Sequence, residues 1–292
     1  EGLDRVFFVN SGAEANENAL RVACRATGRS RVLALEHGFH GRTAAAAAVT
    51  WGAAKSWYGF PRTPFDVAFI PRDDTARVEE MINGETAAVI IELVQGLAGA
   101  YDLEPGFVLT IAEACRRAGA LLIVDEVQSG VGRTGAPFAA NLYGLKPDLL
   151  TTAKALGGGF PCSALLMTEA LAHTLKSGDL GTTFGGGPMA CALVSTVIEV
   201  IQRDRLMDNV RTLSAEIRRT ALVGPAEGIQ GRGFLLGLRC RRPAKDVQAE
   251  LLERDILVGT SSDPKVVRLL PPLTLEKQHV ATLVSALSDI GQ

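Results

Sequence analysis

Short apolar runs, each four to seven residues long, punctuate the first two thirds of the chain. They are Val6-Phe7-Phe8-Val9, Arg31 to Leu35, Val67 to Ile70, Ala87 to Leu93, Leu121 to Asp125, Asp148 to Thr152 and Ala164 to Met167. Their length and aliphatic content predict buried strands. Between them lie stretches of helical spacing, near Glu14 to Gly28 and over Phe107 to Ala118, where Val108, Ile111, Ala112 and Cys115 share one face. Strands alternating with helices require crossover connections, hence a mainly parallel sheet covered on both faces. After a long helical stretch from Met189 to Gln202 the texture changes. A charged amphipathic helix (Leu206 to Thr220) precedes Gly-rich strands (Gly228 to Leu238), a second helix (Ala244 to Glu253) and the segment Arg268-Leu269-Leu270-Pro271-Pro272. The pattern predicts an α/β protein with a large domain over 1–203 and a smaller α+β domain over 204–292.

In parallel sheets ligands bind beyond the carboxyl ends of the strands. Asn10-Ser11, Glu36-His37 and Asp125-Glu126 all sit at such ends. Ser11-Gly12-Ala13-Glu14-Ala15 turns a strand into a helix, so Gly12 and the first helical amides could hold an anion; the alternative is an N-cap serine without a ligand. In His37-Gly38-Phe39-His40-Gly41-Arg42-Thr43, Phe39 could stack on a ring and Arg42 could grip a carboxylate. Equally, Phe39 could plug the core and Arg42 pair with a surface acid. His40 could be a packed, hydrogen-bonded imidazole as readily as a reactive one. The run Leu122-Ile123-Val124-Asp125-Glu126-Val127-Gln128 delivers a carboxylate at a strand end, and Lys154 follows on a turn braced by Gly157-Gly158-Gly159. An ionised aspartate beside an imine-forming lysine is what pyridoxal phosphate chemistry needs. The aspartate keeps a proton on the pyridine nitrogen and the lysine carries the aldehyde as a Schiff base.

Composition narrows the field. The chain has 292 residues, is 47% hydrophobic and carries a net charge of -2, which suits a globular protein and gives no footprint for a nucleic-acid partner. Five scattered cysteines argue against a disulfide framework or a zinc site and fit a reducing cytoplasm. The alanine run Ala44 to Val49 stops after six residues, where a membrane span needs about 20. No signal peptide is seen. The chain starts at Glu1 without a methionine and enters a strand almost at once, from which a missing N-terminal segment is expected.

Several longer strings converge on one family. Asn-Ser-Gly-Ala-Glu-Ala-Asn-Glu (10 to 17), Phe-His-Gly-Arg-Thr (39 to 43), Asp-Glu-Val-Gln-Ser-Gly-Val-Gly-Arg-Thr-Gly (125 to 135), Lys-Pro-Asp-Leu-Leu-Thr-Thr-Ala-Lys-Ala-Leu-Gly-Gly-Gly-Phe-Pro (146 to 161) and Gly-Thr-Thr-Phe-Gly-Gly (181 to 186) closely resemble class III aminotransferases, the acetylornithine/ornithine branch above all. The resemblance runs from about Val6 to Pro272. It implies fold type I of the pyridoxal-phosphate enzymes and amino transfer between a basic or ω-amino acid and 2-oxoglutarate, in amino-acid metabolism such as arginine biosynthesis. It also implies roles. Lys154 would hold the cofactor and later shuttle the substrate proton. Asp125 would pair with the pyridinium nitrogen, Gln128 approach the ring hydroxyl, and Val127 and Phe39 pack on the two ring faces. Ser11, Gly12 and Ala13 would take the phosphate, with Thr183 reaching over from a second subunit, so a homodimer is expected. His40 and Glu92 belong to the same cofactor surroundings. Arg42 and Thr182 would receive the donor's distal carboxylate, and Arg268 the α-carboxylate of glutamate or 2-oxoglutarate. No metal is expected.

The chain departs from the family pattern at three places. Leu97 stands where relatives usually carry a glutamate that masks the arginine represented by Arg268, so that gate is expected to be absent. Gly187 stands where Gly-Gly-Asn-Pro is usual, and Cys162-Ser163 where an aliphatic residue and glycine are common. Two other readings stay open: an aminomutase or racemase on the same scaffold, and a non-catalytic binding homologue. A nicotinamide oxidoreductase is set aside, because no Gly-x-Gly-x-x-Gly follows the first strand.

Overall fold

The computed structural model describes residues 2–291; Glu1 and Gln292, the outermost residues of the two expected domains, lie outside the described residues. The apolar runs become a seven-stranded sheet: β1 (Arg5–Val9), β2 (Arg31–Leu35), β3 (Asp66–Ile70), β4 (Thr86–Ile91), β5 (Leu121–Asp125), β6 (Leu149–Thr152) and β7 (Ser163–Met167). Their order is β1-β7-β6-β5-β4-β2-β3. From β6 to β3 every pairing is parallel, and only β7 runs against its neighbours. All six residues of β4 are buried, as a central strand covered on both faces must be. Leu33, Ile90 and Ile123 are completely buried, each contributing about 1.5–3 kcal/mol of transfer free energy.

This topology places the chemistry. Because only β7 is reversed, the carboxyl ends of β1, β2, β4, β5 and β6 share one edge of the sheet. Asp125 ends β5, and Ser11, His37, Glu92 and Lys154 each follow one of the other strands. β7 enters at the same edge through Ser163, whose hydroxyl donates to the Ser11 carbonyl at 2.7 Å. The departure at Ser163 thus ties the start of the first helix to the sheet.

That helix, α1 (Gly12–Thr27), is capped by Ser11, whose hydroxyl accepts the Glu14 N–H, and ends at Gly28 with φ +67° in the left-handed form glycine favours. Its buried stripe is Ala15, Ala19, Leu20, Val22 and Ala23, joined by two buried amides, Asn16 and Asn18. The helix Pro105–Ala118 has proline at its first turn and Gly119 at its C-cap, the expected asymmetry.

The chain divides into two units. The first comprises Glu1–Leu93, Leu103–Val131 and Ala139–Ile198; the second comprises Val94–Asp102, Gly132–Phe138 and Glu199–Gln292. The second unit is built on a four-stranded antiparallel sheet, in the order Ala226–Arg232, Leu235–Cys240, Val266–Leu269, Gly259–Thr260. Apolar faces of the helices Leu206–Thr220, Ala244–Leu252 and Lys277–Asp289 close its core around Phe234, Leu236 and Leu238. Its excursion Val94–Asp102 folds as a small ribbon on the hairpin: a Cβ at Gly237 would lie 1.9 Å from the Gly99 carbonyl oxygen, so only glycine fits there. Among the described residues no helix is long and apolar enough to cross a membrane.

Candidate active site

Asp125 ends β5 with 3% of its surface exposed. Its Oδ2 accepts the Asn16 amide Nδ2–H at 2.7 Å and lies 2.8 Å from His40 Nδ1. Its Oδ1 accepts the Val127 N–H at 3.0 Å. An ionised carboxylate only accepts hydrogen bonds, so the proton of His40 sits on Nδ1. The other ring nitrogen, Nε2, is buried and has no hydrogen-bond partner among the described residues. The next residue, Glu126, points the other way, as strand geometry requires. Burial pushes its carboxyl up to about 7, against hydrogen bonds from Ser129 and the Ala140 N–H. It belongs to the core rather than to the strand-end cluster.

The loop from His37 to Thr43 is fastened at several points. Glu92 accepts the Phe39 N–H at 2.8 Å. Thr50 Oγ1 accepts the His40 N–H at 3.0 Å, and the His40 carbonyl accepts from Asn16 at 2.7 Å. Glu17, on α1, accepts the Thr43 hydroxyl and the N–H groups of Ala45 and Ala46, a carboxylate at the positive end of the helix Ala44–Ala48. Gly41, at φ +132°, lies so close to α1 that a Cβ there would be 2.6 Å from that of Ala13. Phe39 is half-buried. Arg42 is exposed, with its guanidinium carbon 4.4 Å from the Trp57 ring centroid, a cation–π contact.

The start of α1 meets the turn after Asp125. A Cβ at Gly12 would lie 2.7 Å from a Val127 methyl, so glycine lets the two turns touch. The first bond of the helix ladder runs from the Ala15 N–H to Ser11, and Ser11 also takes the Glu14 N–H. The N–H groups of Gly12 and Ala13 precede that ladder. Gln128 and Val127 are half-buried.

Lys154 opens a single 3-10 turn, Lys154–Gly157, and is exposed. Its φ is +48°, a left-handed conformation that costs a non-glycine residue about 1–2 kcal/mol. The surroundings hold it there. Thr151 and Thr152 before it are buried in β6, and Leu156 after it packs with Cys162, Ala190 and Val194. A Cβ at Gly157 would come within 3.0 Å of Cys162 Cβ, so the departure at Cys162 supports the lysine turn.

Thr182 Oγ1 accepts the Gly185 N–H at 3.2 Å and lies 3.4 Å from Asn10 Nδ2. Thr182 and Thr183 line a groove of about 330 Å³ with Asn10, Glu14 and Asn18. Gly185 crosses β1 so closely that a Cβ would lie 2.3 Å from the Phe8 carbonyl oxygen, whereas one at Gly187 would meet only ordinary contact. Arg268 lies in the second unit, on the strand Val266–Leu269. Its Nε donates to the Thr260 carbonyl at 2.7 Å and its Nη1 to that of Gly96 at 3.3 Å. Beside it in sequence, the Leu97 carbonyl accepts both the N–H and hydroxyl of Ser262.

Sequence reasoning missed the residues that hold this arrangement together. Asn16 and Thr151 bond each other at 2.6 Å, and neither was singled out, although Asn16 lies inside the string 10 to 17. A polar residue on an otherwise apolar helix face was the available signal. Glu17, Thr50 and Trp57 were missed as well.

The residues present fit pyridoxal phosphate. Asp125 is an acceptor with capacity left on Oδ1, the α1 start offers N–H groups for a phosphate, and Lys154 stands on its own strained turn.

Comparison with known proteins agrees with this chemistry. The family described as Aminotransferase class-III matches residues 1–290. The chain is 42% identical over 281 residues to the acetylornithine aminotransferase of Archaeoglobus fulgidus, covering 96% of this chain and 73% of that protein. It is 38% identical to the acetylornithine aminotransferase of Bacillus subtilis, covering 98% and 75%. A crystal structure of ornithine aminotransferase from Toxoplasma gondii superposes with a TM-score of 0.90 at 31% identity, over 98% of this chain and 72% of that one.

Proposed function

We propose that this chain, which belongs to the class III aminotransferase family, moves an amino group from acetylornithine or an ornithine-like donor to 2-oxoglutarate. The fold is type I of the pyridoxal-phosphate enzymes, and the substrates are a small amino acid and a 2-oxo acid. The observation that carries the reading is the buried Asp125 carboxylate, whose neighbours Asn16, His40 and Val127 all donate to it.

When bound, pyridoxal phosphate supplies an electron sink that stabilises negative charge at the substrate Cα. Lys154 would hold the cofactor, and its amine would serve as the base and acid for the substrate Cα proton. Asp125 would hold the proton on the pyridine nitrogen through Oδ1. Ser11, Gly12 and Ala13 would take the phosphate at the positive end of α1. Phe39 and Val127 would confine the ring and Gln128 would approach its hydroxyl, while Glu92 and His40 hold the loop and the Asp125 carboxylate. Arg42, whose guanidinium lies over the face of Trp57, would take the donor's distal carboxylate together with Thr182. Arg268 takes the α-carboxylate by a paired contact. The test is a donor screen that follows glutamate formation from 2-oxoglutarate. Acetylornithine or ornithine should exceed simple amines by at least about tenfold in kcat/KM; equal rates for all amines would contradict the substrate assignment.

Leu97 stands at the position where relatives usually carry a glutamate, and an uncharged side chain at that position favours substrates that bring an α-carboxylate. Leu97→Glu is expected to shift the preference toward ω-amines by about tenfold, the scale of one charge-assisted contact. An unchanged donor profile, measured as the ratio of kcat/KM values, would sink this assignment.

Thr183 completes the phosphate site of a second copy, making the working form a two-fold homodimer. Light scattering behind size exclusion is expected to give twice the chain mass, and Thr183→Ala to weaken cofactor binding; an active monomer would contradict it. The five unpaired cysteines suit the reducing cytoplasm, where we place the enzyme.

A further inference from the structure

We propose that Asn16 is a positioning residue for amino transfer, an amide clamp that selects which oxygen of Asp125 serves the cofactor; this rests on the function proposed above. Asn16 is 1% exposed, and each polar atom of its side chain is engaged. Its Nδ2 donates to Asp125 Oδ2 at 2.7 Å and to the His40 carbonyl at 2.7 Å, and its Oδ1 accepts the Thr151 hydroxyl at 2.6 Å. The amide therefore binds three separate pieces of chain to α1: the end of β5, the loop carrying Phe39 and Arg42, and β6 just before Lys154. In register, Thr151 lies opposite Asp125, so the hydroxyl and the carboxylate reach the same amide from adjacent strands.

The consequence is an asymmetry within one carboxylate. A carboxylate oxygen has room for about two hydrogen bonds. Among the described residues Oδ2 takes two, from Asn16 and His40, whereas Oδ1 takes one, from the Val127 N–H. Capacity remains on Oδ1, and Oδ1 is the atom at which a pyridine N–H can be held. The Thr151 hydroxyl decides the orientation of the amide. It donates to Oδ1 of Asn16, which turns the NH₂ group toward Asp125 and His40. Without that hydroxyl the amide loses the partner that orients it. Every polar atom of the Asn16 side chain is taken up by protein groups, so it acts through Asp125.

The test compares Asn16→Ala, Asn16→Asp and Thr151→Val in the whole chain. Asn16→Ala is expected to lower kcat by about 10- to 100-fold, the value of a hydrogen bond to a charged group. KM for the donor should stay within about threefold. Pyridoxal phosphate binding, followed by protein fluorescence, should weaken by about tenfold. Thr151→Val should act in the same direction more weakly and add nothing in the Asn16→Ala background, because both changes remove one clamp. Asn16→Asp keeps the shape but sets a carboxylate against Oδ2. Its kcat should recover as pH falls, when the introduced carboxyl is protonated and can donate again, a trend the unchanged protein lacks. A structural role alone would move the melting temperature but not this pH profile or the non-additivity. A kcat for Asn16→Ala within about twofold of the unchanged protein overturns the proposal, and so do additive effects with a flat pH profile. If Asn16→Ala fails to fold, the other two variants decide by the same criteria. If the unchanged protein itself gives neither a lysine-linked visible absorption band with pyridoxal phosphate nor amino transfer, the functional reading fails and this proposal with it. If it gives both, any failure belongs to the clamp alone.

Discussion

Lys154→Ala and Lys154→Gly are expected to abolish amino transfer, by at least about 10⁴-fold, while leaving the fold in place. Two proposed roles would vanish together, since the same amine is proposed to hold the cofactor and to move the Cα proton. The structural cost is small because the side chain is exposed. The glycine variant separates function from stability further. Lys154 sits at φ +48°, and glycine there relieves about 1 kcal/mol of left-handed strain. Against that stands the greater freedom of glycine in the unfolded chain, about 0.4–1 kcal/mol. The two nearly cancel, so the melting temperature should move by no more than about 2–4 °C. A transfer assay with a thermal melt checks both halves. Residual transfer above about one part in a hundred would remove Lys154 from its role.

Asp125 is expected to behave differently, because there function and stability fall together. In Asp125→Asn the amide must turn its NH₂ either toward Asn16 and His40 or toward the Val127 N–H. Either way a buried donor faces a donor, which costs about 1–3 kcal/mol. In the role proposed for Asp125, the neutral amide could not keep the proton on the pyridine nitrogen, and kcat should drop by about 10³-fold, the scale of losing one electrostatic contact to developing charge. Asp125→Ala leaves all three donors unpaired and should cost about 3 kcal/mol or more. Chemical denaturation and steady-state kinetics on the two variants measure this. A variant at Asp125 with wild-type stability would contradict the hydrogen-bond network, and one with wild-type kcat would contradict the role.

Much of this was legible in the sequence because strands and motifs are local. The runs Arg31–Leu35 and Leu121–Asp125 appear with the boundaries the pattern predicts. The others differ by a residue or two, since the limits of a strand depend on its neighbours; Thr86–Ile91 stops short of Leu93 for that reason. Strand-end logic pointed to Ser11 and Asp125, and the glycine-braced turn to Lys154; the fold places all three at the same sheet edge. What the sequence concealed is how such residues are held. The bonds from Asn16 to Asp125 and to Thr151 span 109 and 135 residues, and no pattern within a window reports a contact over that separation. Arg42 was readable as a carboxylate ligand, but its seat on Trp57 depends on how the loop folds back. The short excursions Val94–Asp102 and Gly132–Phe138 into the second unit are similar: each is held by long-range packing, and neither has a periodicity of its own. Ser163 and Cys162 read only as departures, yet in the fold one fastens Ser11 and the other packs under the lysine turn.

The central claim is that this chain carries out amino transfer through a cofactor held by Lys154 and Asp125. The most direct measurement is the visible absorption of the protein loaded with pyridoxal phosphate, recorded on addition of L-glutamate and then of an excess of 2-oxoglutarate. The expected result is that glutamate removes the lysine-linked band, 2-oxoglutarate restores it, and Lys154→Ala shows neither change. A band that forms but does not respond to glutamate, acetylornithine or ornithine would contradict the account.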